Sequence, residues 1–231
     1  MTDLMPEQLF ADPIRPALST AHRHLALGDA LAGRYPADVA PFATLAEPGE
    51  TAMERLRALL TPGEAVWLFG DAYSSVPGME IAGQMTLFQM GLPMDIVPPE
   101  PSAELVALGA AEAHEMVGLT DIAFPGFFRS GTYRMGSYCG VRAPDGTLIA
   151  MGGERLKLHD YAEVSGVCTH PDFRGRGHAE SIIWQVVHLQ RRAGLRSFLH
   201  VTKGNDRAIS LYEKMGFEIC REVRITQVKA A

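Results

Sequence analysis

A chain of 231 residues with 47% apolar and 21% charged residues has an ordinary globular composition, long enough for one large domain or two small ones. Its formal net charge of -6 argues against nucleic acid as the main partner, because phosphate binding draws on a basic excess. Cys139, Cys168 and Cys220 are odd in number and show no C-x-x-C spacing, which points to reduced thiols rather than a disulfide framework or zinc site.

Met1-Thr2-Asp3-Leu4 has neither the basic nor the apolar region of a signal peptide. No apolar run approaches the roughly 20 residues of a membrane helix. A soluble, cytoplasmic protein is expected. His22-Arg23-His24 offers two imidazoles without a third ligand nearby, so no metal site is expected there or elsewhere. Thr51-Ala52-Met53-Glu54 reads as a capping box, and Met53, Leu56 and Leu60 continue it at helical spacing until Thr61-Pro62-Gly63. Ala65 to Phe69 and Met85 to Met90 are strand candidates. Four prolines between Gly91 and Ser102 suggest a linker. Residues 1–97 are therefore expected as a smaller N-terminal α/β half and 98–231 as a second domain.

The second part begins with a helix near Ala111 to Leu119 and an apolar loop, Phe124-Pro125-Gly126-Phe127-Phe128, that is either core or a lid over a site. Ser137 to Arg142 and Leu148 to Leu158 read as a hairpin across Pro144-Asp145-Gly146, followed by a strand from Tyr161 to Thr169. Ile182, Ile183, Val186, Val187 and Leu189 mark a helix from about Gly177 to Gly194. Ser197 to Val201 reads as a strand, Asn205 caps a helix through Met215, and Phe217 to Val228 is the last strand. A meander feeding strand-helix-strand-helix-strand makes an α/β (α+β) fold, a mixed sheet flanked by helices.

His170-Pro171-Asp172-Phe173-Arg174-Gly175-Arg176-Gly177-His178-Ala179 lies between a strand and a helix. Its glycines let successive amides point into one space at a helix N-terminus, and Arg174 and Arg176 add charge, which suits a pyrophosphate. A glycine-rich connecting turn is the plain alternative. There is no G-x-x-x-x-G-K-S/T, and the third glycine of a dinucleotide fingerprint is missing.

R-G-R-G-H-A resembles the R/Q-x-x-G-x-G/A motif of the GNAT N-acetyltransferase superfamily. Asn205, Ala208 and Leu211-Tyr212-Glu213-Lys214-Met215-Gly216-Phe217 resemble its second signature, N-x-x-A-x-x-L-Y-x-x-x-G-F. The likeness runs from Leu105 to Val228. It implies a GNAT fold and acetyl-CoA as donor, with Arg174, Gly175, Arg176, Gly177, His178 and Ala179 on the pyrophosphate. It also implies Val167, Cys168 and Thr169 as backbone contacts to the pantetheine arm on a strand that splays from its neighbour, with Asn205 and Ala208 beside that arm. Tyr212 resembles the family tyrosine next to the thioester sulfur, and with a pKa of about 10 it holds a proton to donate.

Strand alternation places Glu163, Ser165, Val167 and Thr169 on one face. Glu163 also resembles the strand glutamate that serves as base in histone acetyltransferases and glycine N-acyltransferases, with Glu154 in reserve. Glycine N-acyltransferases carry a degenerate N-terminal copy of the fold, and residues 1–97 are compatible with that. Cys168 reads as packing rather than as a nucleophile, and His200 as a hydrogen-bonded core histidine. The expected activity is acetyl transfer to the primary amine of a small molecule or amino acid. A protein amine as acceptor, or an acyl-CoA sensor without turnover, are the alternatives.

Overall fold

In the computed structural model, residues 10–71, 73 and 76–231 are described, so Met1 to Leu4 lie outside it. The chain opens with α1 (Ile14–Ser19), a small antiparallel sheet of β1 (Leu27–Gly28), β2 (Ala32–Arg34) and β3 (Ala43–Leu45), and α2 (Glu50–Arg57). Gly49 is the N-cap of α2 and no side chain caps it, so the box expected at Thr51 does not form and the helix starts two residues earlier. Its apolar stripe, Ala52, Met53 and Leu56, still packs on β3 and on β4 (Ala65–Phe69).

Among the described residues the main sheet has eight strands in the order β4-β11-β5-β10-β9-β8-β7-β6. The remaining strands are β5 (Met79–Gly91), β6 (Val106–Leu108), β7 (Tyr138–Arg142), β8 (Leu148–Lys157), β9 (Tyr161–Thr169), β10 (Arg196–Thr202) and β11 (Glu218–Ala230). The β7–β8 hairpin turns on Gly146, whose φ of 89° only glycine adopts without strain. The sheet crosses the division expected at residues 97 and 98: β5 lies antiparallel between β10 and β11, and β4 pairs with β11. Strand β5 begins at Met79, six residues before the expected start, because β11 offers it a partner along its whole length.

The proline-rich stretch after β5 has no regular structure, yet it is fastened down. Leu92 is buried and its amide donates to the Ser197 carbonyl, and Arg191 Nη2 donates to the Pro93 carbonyl at 2.7 Å.

Helices cover the sheet from both sides. Ile182, Ile183, Val186 and Val187 of α4 (His178–Arg192) pack with Val164, Leu199 and Val201, joined by α5 (Asp206–Lys214) through Ala208 and Leu211. Over the other face, α3 (Ala113–Ala123) covers β7 and β8 through Met116 and Leu119. Phe10, Ile14, Leu18, Leu25, Tyr35 and Phe42 close the same side over Tyr161 and Phe198. The N-terminal segment thus supplies a wall over the paired first residues of β9 and β10.

Candidate active site

Two glycines hold open the loop between β9 and α4. Gly175 and Gly177 have φ of 77° and 79°, and a Cβ on either would meet nothing within 4 Å. Gly177 is the N-cap of α4 and no side chain caps the helix. The first amides of the helix are therefore left facing the concavity at the positive end of the dipole. Arg174, Gly175, Arg176, Gly177, His178 and Ala179 all line one cavity of about 770 Å³. This donor set fits a pyrophosphate. The two arginines are staked at the rim: Arg174 Nε donates to the Thr169 carbonyl at 3.3 Å, and the Arg176 guanidinium lies 5.1 Å over the Phe173 ring.

Beyond the loop, the sheet opens. Strands β9 and β10 run parallel but pair only at Arg196 to Phe198 with Tyr161 to Glu163. Past that point β9 stays with β8 and β10 stays with β5, and the wedge between them is lined by Ser165, Val167, Cys168, Thr169, Val201 and Thr202. Backbone groups left unpaired inside a sheet need a partner, so the wedge suits an extended ligand rich in amides. Asn205 caps α5, with Oδ1 accepting from the Ala208 amide at 3.3 Å, and its side chain lines the same cavity. Tyr212 and Ala208 line the same cavity. Burial, and then the charge of Glu163, push the Tyr212 hydroxyl up to about 12, so it is protonated at every working pH.

The expected face of β9 is broken by Gly166. At φ 66° it sits in a register shift against β8. Val164 and Val167 consequently pack in the same cluster under α4, three residues apart, while Cys168 turns to the α3 side. Glu163 does not share a face with Val167.

Glu163 is 0% exposed and does not line the cavity. Arg155 holds it twice, Nε to Oε2 at 2.9 Å and Nη2 to Oε1 at 2.5 Å, and His200 Nδ1 donates to Oε1 at 2.7 Å. Burial alone would raise this carboxyl, but Arg155 and His200 outweigh it and hold it down at about 2. A carboxylate so enclosed has no route to an incoming amine and little basicity to offer, which speaks against direct proton abstraction. Glu154 is also buried and away from the cavity, taken up by the Ser137 amide at 3.1 Å and Lys157 Nζ at 2.9 Å.

Arg155 and His200 do line the cavity, and the sequence reading missed both as site residues. His200 is the core histidine expected, its side chain only 2% exposed. Its second nitrogen, Nε2, lies 3.0 Å from Gln89 Nε2, which also donates to the Phe10 carbonyl at 2.9 Å. An amide nitrogen only donates, so His200 Nε2 is the acceptor in this contact. The available signal was a carboxylate and an imidazole on adjacent apolar strands, since buried polar groups come in bonded sets. Phe124 and Phe127 also line the cavity, whereas Phe128 is core, packed edge-on to Tyr138 at 5.5 Å.

Residues 104–217 match the family model described as Acetyltransferase (GNAT) family. A GNAT-family protein from Novosphingobium aromaticivorans is 33% identical, with a TM-score of 0.85 over 96% of this chain and 98% of that one. The chain belongs to the GNAT acetyltransferase family. At 18% identity, a GCN5-related N-acetyltransferase from Kribbella flavida shares the fold, with a TM-score of 0.63 over 94% of each chain. A GCN5-related N-acetyltransferase-like protein from Streptococcus suis does so at 14% identity and a TM-score of 0.55, covering 89% of this chain and 82% of that one. No curated protein matches.

GNAT enzymes take acetyl-CoA as donor, and the open loop and wedge of this GNAT chain are of the right chemistry for its pyrophosphate and amide-bearing arm. Among the described residues no cluster of three His, Cys, Asp or Glu could hold a metal. His22 is tied instead to the Tyr35 hydroxyl at 2.8 Å and the Met135 carbonyl at 2.9 Å, and burial lowers it to about 4. Among the described residues no helix is long and apolar enough to cross a membrane. Burial raises the thiols of Cys139 and Cys168 to about 12, far from the thiolate a nucleophile needs. Both should resist iodoacetamide in the native protein at pH 8 and react once it is unfolded, as mass spectrometry of the labelled peptides would show. Native-state labelling of Cys168 would return it to the list of nucleophiles.

Proposed function

We propose that this protein transfers the acetyl group of acetyl-CoA to the primary amine of a small molecule by direct attack. The observation that supports it best is the convergence in one cavity of the uncapped loop Arg174 to Ala179, the wedge at Val167, Cys168 and Thr169, and Tyr212. The first would hold the pyrophosphate, and the second, with Asn205 and Ala208, the pantetheine arm. The amine nitrogen bonds to the acetyl carbon as the carbon–sulfur bond breaks. Tyr212 gives its proton to the departing thiolate.

The proton leaving the amine is assigned to His200 rather than to Glu163. Glu163 acts behind the ring as a positioning residue, fixing the Nδ1–H tautomer and stabilising the imidazolium that forms. His200 Nε2 must then release Gln89, whose Oε1 is buried without a partner and could accept from the protonated ring if the amide turned. The N-terminal segment contributes Phe42, Phe69, Met85 and Leu87 to the cavity, and we assign it to the acceptor side.

Tyr212→Phe should lower kcat by about 10²–10⁴-fold with acetyl-CoA affinity nearly unchanged, because the hydroxyl acts on charge that appears only in the transition state. Steady-state assay of CoA release, with calorimetry for affinity, measures both. Full kcat in this variant would assign leaving-group protonation to solvent.

A further inference from the structure

We propose that the acceptor is a monoamine with a large apolar body, aromatic by preference, seated against Phe42, Phe69 and Phe127. The inference rests on the acetyl-transfer reading above and narrows its substrate. The cavity wall away from the glycine loop is rich in aromatic rings. Phe127 stacks on Phe42 at 6.1 Å and on Trp67 at 5.8 Å, and Phe69 lies 5.2 Å from His200. Met85, Leu87 and Ile225 complete this wall.

Charge is nearly absent from it. The Arg155 guanidinium is matched by Glu163 through two of its nitrogens and covered by Phe42 at 4.9 Å. Glu163 itself has no exposed surface. Among the described lining residues the acidic one is Glu180, in the first turn of α4 beside the phosphate loop. An acceptor with a second or third ammonium, such as a polyamine, would bring that charge into an apolar wall with no counter-ion, at a large desolvation cost. A hydroxyl-rich amine would find few free polar partners there. An apolar body buries its surface, and the same walls favour the neutral amine that attack requires. The balance is RNH2 plus acetyl-S-CoA to N-acetyl-RNH plus CoA-SH, with the amine proton passing to the base and the thiolate taking the Tyr212 proton.

The test is CoA release by the full chain at saturating acetyl-CoA, comparing phenethylamine, ethylamine and spermidine. Phenethylamine should exceed ethylamine in kcat/KM on the order of 10²-fold, since only the ring distinguishes them, and spermidine should fall below phenethylamine by at least about 10-fold. Phe127→Leu keeps an apolar side chain but loses the stack. It should lower kcat/KM for phenethylamine about 10-fold while its thermal shift with acetyl-CoA matches wild type, which shows that it is folded. Equal or better turnover of ethylamine or spermidine overturns the inference. So does a protein that binds acetyl-CoA and turns over no phenethylamine, or a folded Phe127→Leu with wild-type kcat/KM. Absence of any thermal shift with acetyl-CoA instead removes the acetyl-transfer reading, and this inference with it.

Discussion

Gly177→Val should leave a folded protein whose melting temperature no longer responds to acetyl-CoA. In the wild type, a ligand bound only by the native state stabilises it by about 2.7 kcal/mol at a hundredfold excess over Kd. For a domain of this size that is a rise of about 5–10 °C. The glycine stands at φ 79° with open space where a Cβ would be. Valine there costs about 1–2 kcal/mol of backbone strain, and either occupies the concavity or forces the first amides of α4 out of line. Differential scanning fluorimetry reads the shift in both proteins. A wild type that does not respond to millimolar acetyl-CoA sinks the donor assignment, and a variant that responds like wild type places the pyrophosphate elsewhere.

Glu163→Gln should be the most damaging single exchange in the sheet. It keeps the shape but leaves the Arg155 charge buried without its partner, and breaking such a pair costs about 3–5 kcal/mol. The sign with pH follows from the depressed carboxyl. Its folded value of about 2 lies below the ordinary glutamate value of 4.5, so the stabilisation is fully present above 4.5 and is lost as pH falls toward about 2. Wild type and variant should therefore differ most in urea unfolding at neutral pH and converge in acid. Activity should fall too, about 10²–10⁴-fold in kcat/KM, because His200 has lost the carboxylate that holds its ring. Equal stability at neutral pH would mean that the ion pair is idle. A variant with wild-type kcat/KM at every pH would remove Glu163 from the proton route.

Much of the cofactor side was legible in the sequence, because it is local. The Gly175–Gly177 turn, the α4 start and the Asn205 cap are each decided by residues within a few positions of one another, and each forms where expected. The chemistry of Glu163 was not legible, because it is decided by distant segments. Strand β8 supplies Arg155, β10 supplies His200, β5 supplies Gln89, and Phe10 and Tyr35 arrive from the far end of the chain to exclude water. Period-2 reasoning failed along β9 for a different reason. A single glycine in a left-handed conformation shifts the phase of every later side chain, and nothing in the apolar pattern announces it. The early helix shows the limit of local signals, since a formally complete capping box at Thr51 lost to a glycine cap two residues before it.

The position of β5 between β10 and β11 sets the order in which the molecule can be assembled. Residues 79–91 are synthesised more than a hundred residues before their hydrogen-bonding partners at 198–202 and 218–230. This strand must wait, its edges bare, until those partners have been made, and closure over so long a loop is slow. The stretch from 104 to 217 made alone would lack both the strand that covers β10 and the whole of β11. It would present a raw edge to other copies of itself and aggregate rather than stand as an independent enzyme.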